Sequence, residues 1–260
     1  MDLKISVPLS KKYNTIFQKN KDFKNIEFSI LKLKKNQYFS NSKNYQIILI
    51  ILSGTCSVKI NKIFYKNIGK RKNVFDGKAY AIIIPNNSKF EIKSINSCEI
   101  AVVKIKSKFD GNPILITPKE IKTKNVGKKN WSRKVFDIVD SKYPIDDILI
   151  GETINPSGNW SSSPPHKHDR FRPPIEGKHK EIYFYKVFPE QGFGIQRIYT
   201  KKHFDESYTI ENNDLILIPK GYHPVVAGPG YKLYYLWILI GDNKNYFLYD
   251  DPKHKWIKDN

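Results

Sequence analysis

Apolar residues in this chain fall in short alternating or continuous runs, separated by Asn, Lys, Gly and Pro, and the three-to-four spacing of an amphipathic helix is scarce. The pattern predicts strands at Asn25 to Leu33, Tyr45 to Leu52, Thr55 to Ile60, Ala79 to Ile84, Lys89 to Ile92 and Cys98 to Ile105. A Lys-, Thr- and Asn-rich stretch from Ile114 to Lys129 reads as a linker. A second series follows: Val135 to Ile138, Asp147 to Ile154, Glu181 to Phe188, Phe193 to Tyr199, Ser207 to Ile210, Asp214 to Ile218, Val225 to Ala227 and Leu233 to Ile240. Many short strands with turns between them predict an all-β fold of barrels or sandwiches. A length of 260 residues suits two such domains, divided as 1–120 and 121–260.

Composition narrows the class. Apolar residues make up 40% of the chain and aromatics 13%, enough for packed cores. No run approaches the length of a membrane-spanning helix, and the first residues lack the apolar core of a signal peptide, so a cytoplasmic protein with no membrane partner is expected. Cys56 and Cys98 both fall in strand-like runs and read as buried free thiols. The net charge of +20 raises the question of nucleic acid. However, only five of the 45 basic residues are arginine, the lysines are spread along the chain, and no nucleic-acid-binding motif is visible. No nucleic-acid partner is therefore expected.

The candidate chemistry lies in the second half, since all six histidines follow residue 165. His166 and His168 are two apart, which places both imidazoles on one face of a strand. Glu181 opens the run Ile182-Tyr183-Phe184-Tyr185, and His223 sits in Pro219-Lys220-Gly221-Tyr222-His223, just past another strand. Three imidazoles and a carboxylate from neighbouring strands suit one divalent ion, zinc first, with manganese or iron as alternatives. This is the ligand layout of a cupin barrel. An isolated His-x-His is commonly accidental; Glu181 and the Pro-x-Gly-x-His element, in order at strand ends, favour the metal reading. His179, His203 and His254 lie in charged stretches and read as solvated. The first half, without histidine, reads as a degenerate barrel lacking metal.

Residues 151–169, with Gly158-Asn159-Trp160, Pro164-Pro165 and His166-Lys167-His168-Asp169, resemble the 5-deoxy-glucuronate isomerases of myo-inositol catabolism, a family of tandem-cupin (bicupin) enzymes. So do Gln191 to Thr200, Gly221 to Val226, Leu233 to Leu236, the closing Asp251-Pro252-Lys253-His254-Lys255-Trp256 and, more thinly, Asn73 to Gly77. The chain departs from the family's pattern at Lys180, where an acid is usual, in the loop Arg170 to Lys178, and at Trp237, where Asn is usual. The resemblance implies conversion of 5-deoxy-D-glucuronate to 2-deoxy-5-keto-D-gluconate through an enediolate, whose charge a divalent ion would stabilise. An Fe-dependent cupin dioxygenase and a non-catalytic sugar-binding cupin are the alternatives.

A sugar-acid substrate needs a proton carrier and a cation. If Glu181 faces inward, Tyr183 and Tyr185 do too, as candidate acids or as packing. Gln196 and Arg197 are adjacent in a strand, so one faces the pocket. A substrate carboxylate favours Arg197, with Gln196, Arg170 and Arg172 as further substrate-binding candidates. Pairing of these arginines with surface acids is the competing reading. A homo-oligomer is compatible with the sequence.

Overall fold

The computed structural model describes residues 2–259 except 43, 44, 107, 108, 146, 147, 203, 242, 243 and 245. Apart from two short 3-10 turns, the described residues form strands and loops. None of their helices is long and apolar enough to cross a membrane. The chain divides into two compact units, Pro8–Ile121 and Lys122–Asn260, the latter joined by Met1–Val7. The first residues thus belong with the second unit, because Lys4–Ile5 pairs antiparallel with Leu215 and Ile216 and Lys4 is ion-paired with Asp214 at 2.9 Å.

Each unit is built on two larger antiparallel sheets, as in a cupin barrel, and the C-terminal unit adds two two-stranded sheets. In the N-terminal unit a six-stranded sheet holds the central strand Gln46–Ser53 between Cys98–Ile105 and Ala81–Ile84, and a four-stranded sheet is built around Cys56–Ile60. Gln46–Ser53 is buried almost throughout, as its unbroken apolar run demands of a central strand, whereas Lys89–Ser94 alternates exposed and buried. Leu31, Leu49, Ile51, Val58, Ile92 and Ile100 fill the interior of this unit with close-packed aliphatic groups.

The predicted linker is a correction. Ile114–Ile116 pairs with Ala81–Ile84 at the edge of the first unit's sheet, and Lys122–Val126 pairs with Arg133–Val139 at the edge of the second's. Both lie at sheet edges; Lys122–Val126 has the polar, exposed character of a solvent-facing edge strand, whereas Ile114–Ile116 is apolar and partly buried.

In the C-terminal unit a seven-stranded sheet runs in the order Lys4–Ile5, Leu215–Ile218, Lys180–Phe188, Lys232–Ile240, Ile148–Asn155, Arg133–Val139 and Lys122–Val126. A four-stranded sheet carries Gly194–Tyr199 between Val225–Ala227 and Asp205–Ile210. Its interior is polar and aromatic where that of the first unit is aliphatic. Cys56 and Cys98 are free and buried.

Candidate functional site

Register assigns the inward face of the large sheet. Glu181 lies opposite Leu239, Tyr183 opposite Trp237 and Tyr185 opposite Tyr235; Trp237 in turn lies opposite Gly151. Directly opposed residues share a face. Glu181, Tyr183, Tyr185, Tyr235 and Trp237 therefore line one surface, and all are buried. Gly151 is required under Trp237, since a Cβ there would come within 2.1 Å of the indole.

Three further elements bring the histidines to this face. The short strand His166–Lys167 pairs with Tyr249–Asp250 and is tied down by the Asp251 N–H donating to the Pro165 carbonyl at 2.7 Å. Asp251 is held in turn by the Tyr199 hydroxyl, which donates to its Oδ2 at 2.8 Å. His168, just past that strand, has its carbonyl bound by the His179 N–H at 2.8 Å. His223 follows a turn in which Gly221 has φ +101° and a Cβ would meet the Tyr199 carbonyl oxygen at 2.7 Å; only glycine adopts that backbone without strain.

The ligand atoms of His168, Glu181 and His223 lie within 4.8 Å of one another. His166 stands beside them rather than within the set, its ring edge-on to that of His223 at 4.9 Å between centroids. All four are buried, His223 completely. The tautomers follow from the outer partners. His168 Nδ1 donates to the His179 carbonyl at 2.9 Å, and His223 Nδ1 donates to the Gly221 carbonyl at 2.8 Å. In the neutral rings both Nε2 atoms then carry lone pairs, and both face Glu181 Oε2, at 3.1 and 3.2 Å. His223 Nε2 has no hydrogen-bond partner. Three acceptors converging in a buried space demand a cation or a proton between them.

The electrostatics agree. Burial pushes Glu181 up, but its contacts with His168 and His223 outweigh this and hold it at about 2. Burial depresses His168, yet the Glu181 carboxylate raises it above its usual value. Burial, followed by the neighbouring His223 and His168, drives His166 well below its usual value and keeps it neutral. The donor set of neutral imidazole and carboxylate fits a borderline divalent ion.

The chain matches the KduI/IolB family over residues 8–257. It belongs to that family. Its relatives include 5-deoxy-glucuronate isomerases from Geobacillus thermodenitrificans, 34% identical over 89% of this chain and 86% of that protein, and from Bacillus subtilis strain 168, 34% identical over 92% and 89%. An IolB-like protein from Salmonella typhimurium LT2 superposes with a TM-score of 0.92 over 99% of both chains, at 28% identity. The oxalate decarboxylase of Lactobacillus farciminis shares the fold alone, with a TM-score of 0.65 and 12% identity over 88% of this chain and 80% of that one.

Within this KduI/IolB chain several sequence expectations are corrected. Gln196, not Arg197, faces inward. Arg197 points outward, where Nε and Nη2 donate to the two carboxylate oxygens of Asp205 at 2.8 and 2.7 Å and the guanidinium covers the Tyr199 ring. Strand parity made this a choice between neighbours, and a nearby acid decided it. Arg172 is likewise taken by the buried Glu176, and the Arg170 side chain is exposed. Gln196 is fully buried and its amide is engaged within the protein: Nε2 donates to the His223 and Pro224 carbonyls at 2.7 and 3.0 Å, and Oε1 accepts from the Tyr185 hydroxyl. Tyr185 is thereby engaged as well. His179, read as solvated, is buried and orients His168; His203 lies outside the described residues. Tyr235, whose hydroxyl meets that of Ser161, shares the inward face with Glu181 and Tyr183; it lies in the family-like run Leu233 to Leu236 but was not singled out as a site residue.

Proposed function

We propose that this chain isomerises 5-deoxy-D-glucuronate to 2-deoxy-5-keto-D-gluconate, with His166, His168, Glu181 and His223 holding one divalent ion, zinc by preference. The observation that carries the reading is the convergence of the His168 and His223 lone pairs on Glu181 in a family whose named relatives catalyse this isomerisation. A bound ion would supply the positive charge that stabilises two adjacent substrate oxygens as the enediolate develops. His179 and Gly221 fix the tautomers that present Nε2 inward. Gln196 fixes the backbone behind His223.

Tyr183 is the proposed proton donor. Its ring is 6.0 Å from that of His223, and its hydroxyl lies 3.2 Å from Ser162 Oγ. Burial, reinforced by Glu181, raises its pKa well above the ordinary phenol value. It therefore stays protonated at neutral pH and serves as a hydrogen-bond donor to a substrate oxygen, not as a resting base. Tyr185 acts through Gln196 as a positioning residue. The test is to incubate the protein with 5-deoxy-D-glucuronate in D₂O and follow the aldehyde proton by NMR. Loss of that signal with appearance of the ketose supports the assignment; recovery of unchanged aldose refutes it.

A further inference from the structure

The carboxylate end of a sugar acid needs a cation inside the pocket, and the arginines that the sequence offered for it face elsewhere. Arg133 opens the strand Arg133–Val139. Val135 lies opposite Thr153, and Thr153 opposite Tyr235, so Val135 and, by period-two alternation, Arg133 share the sheet face that carries Tyr235 and Glu181. The side chain is half-buried. Its Nη1 donates to the carbonyls of Trp131 at 3.1 Å and Ser163 at 3.2 Å, which ties it to the loop leading into His166. Among the described residues no carboxylate pairs with it. Two hydrogen bonds through Nη1 leave the Nε–Nη2 edge of the guanidinium uncommitted, the edge that grips a carboxylate with two parallel bonds.

We infer that Arg133 is the anchor for the substrate carboxylate, gripping it through Nε and Nη2 while the aldehyde end lies at the His/Glu cluster. The inference rests on the isomerase reading for the identity of the substrate, but the geometry alone calls for an anionic ligand. An unpaired, half-buried guanidinium beside a site of buried acceptors is poorly compensated until an anion arrives. Positive charge fixed by two backbone carbonyls is also pre-organised, so little side-chain freedom is lost on binding.

The experiment measures binding and turnover separately on metal-loaded protein. Calorimetric titration with D-glucuronate, which carries the same terminal carboxylate, and with neutral D-glucose reads recognition without chemistry. Wild type is expected to prefer the acid. Arg133→Met should lose at least tenfold in glucuronate affinity and leave glucose binding as it was, and Arg133→Lys should recover part of the loss. With 5-deoxy-D-glucuronate the change should fall on KM more than on kcat, and metal content should match wild type. Equal glucuronate affinity in wild type and Arg133→Met overturns the inference, as does a loss that extends equally to glucose. If wild type binds glucuronate in an Arg133-dependent way yet converts no 5-deoxy-D-glucuronate, the anchor stands and the isomerase reading falls.

Discussion

At the scale of single residues, what decides function is where each polar atom finds its partner. Arg197 illustrates the point: its bidentate contact with Asp205 is half-exposed, 43% on the arginine side, so its worth is small. Arg197→Lys is expected to leave KM for the sugar acid unchanged and to alter unfolding free energy by less than about 1 kcal/mol, the scale of a surface ion pair, checked by steady-state kinetics and urea denaturation. Gln196 is the opposite case. Replacing it with Leu leaves the Tyr185 hydroxyl and two carbonyls buried without partners. Gln196→Leu should cost about 2–4 kcal/mol of stability in the same denaturation experiment, at about 1–3 kcal/mol for each orphaned group and some relaxation. It should also lower metal affinity, because the backbone carrying His223 loses its tether. Neighbouring residues in a strand look alike from sequence; only the position of Asp205, contributed by the adjacent strand, separates them.

At the scale of elements, the apolar pattern made most strands legible, and its failures have a common cause. Tyr13–Phe17 and Ile63–Ile68, neither of them predicted, are short edge strands with polar or mixed character. Ile114–Ile116, which is short and apolar, and Lys122–Val126, which is polar, are also edge strands and were read as linker. An edge strand is specified by its neighbour's unpaired backbone rather than by its own side chains. The His-x-His, Glu and Pro-x-Gly-x-His elements were readable because each sits at a strand end with fixed parity. The turn before His223 gives the sharpest test at this scale. Gly221→Ala places a Cβ 2.7 Å from the Tyr199 carbonyl at φ +101°. It should destabilise by about 1–3 kcal/mol, the cost of a strained backbone, and reduce metal retained after dialysis by displacing His223.

The loop Arg170 to Lys178 carries a pH prediction. Glu176 is buried within it and held by Lys167, Arg172 and two backbone N–H groups. Burial raises its pKa, but these bonds win and hold the folded-state value below the usual carboxylate range. A depressed carboxyl contributes stability that is full above its unfolded pKa of about 4.3 and lost as pH falls through the lower folded value. Denaturation midpoints should therefore decline below about pH 4.3, and Glu176→Gln should flatten that decline while lowering stability at neutral pH. An unchanged acid slope in Glu176→Gln would mean that the loop is not held by this carboxylate.

At the scale of the molecule, two units of similar architecture have diverged in what fills them. Leu31, Leu49, Ile51 and Ile100 plug the first, whereas the second spends the same interior on histidines, Glu181 and a wall of Tyr183, Tyr235 and Trp237. Buried acceptors that face one another weaken a fold unless a cation joins them, so metal should stabilise this protein as any ligand specific to the native state does. The most direct test strips metal by chelation, then assays 5-deoxy-D-glucuronate turnover and metal content before and after adding back one equivalent of zinc, manganese or iron, in wild type and in His223→Ala. Stripped wild type should be inactive, recover with one bound ion per chain, and unfold at a higher temperature once loaded; His223→Ala should stay folded by circular dichroism but neither retain the ion nor recover. Full turnover by the stripped protein, or by His223→Ala without metal, would contradict the account.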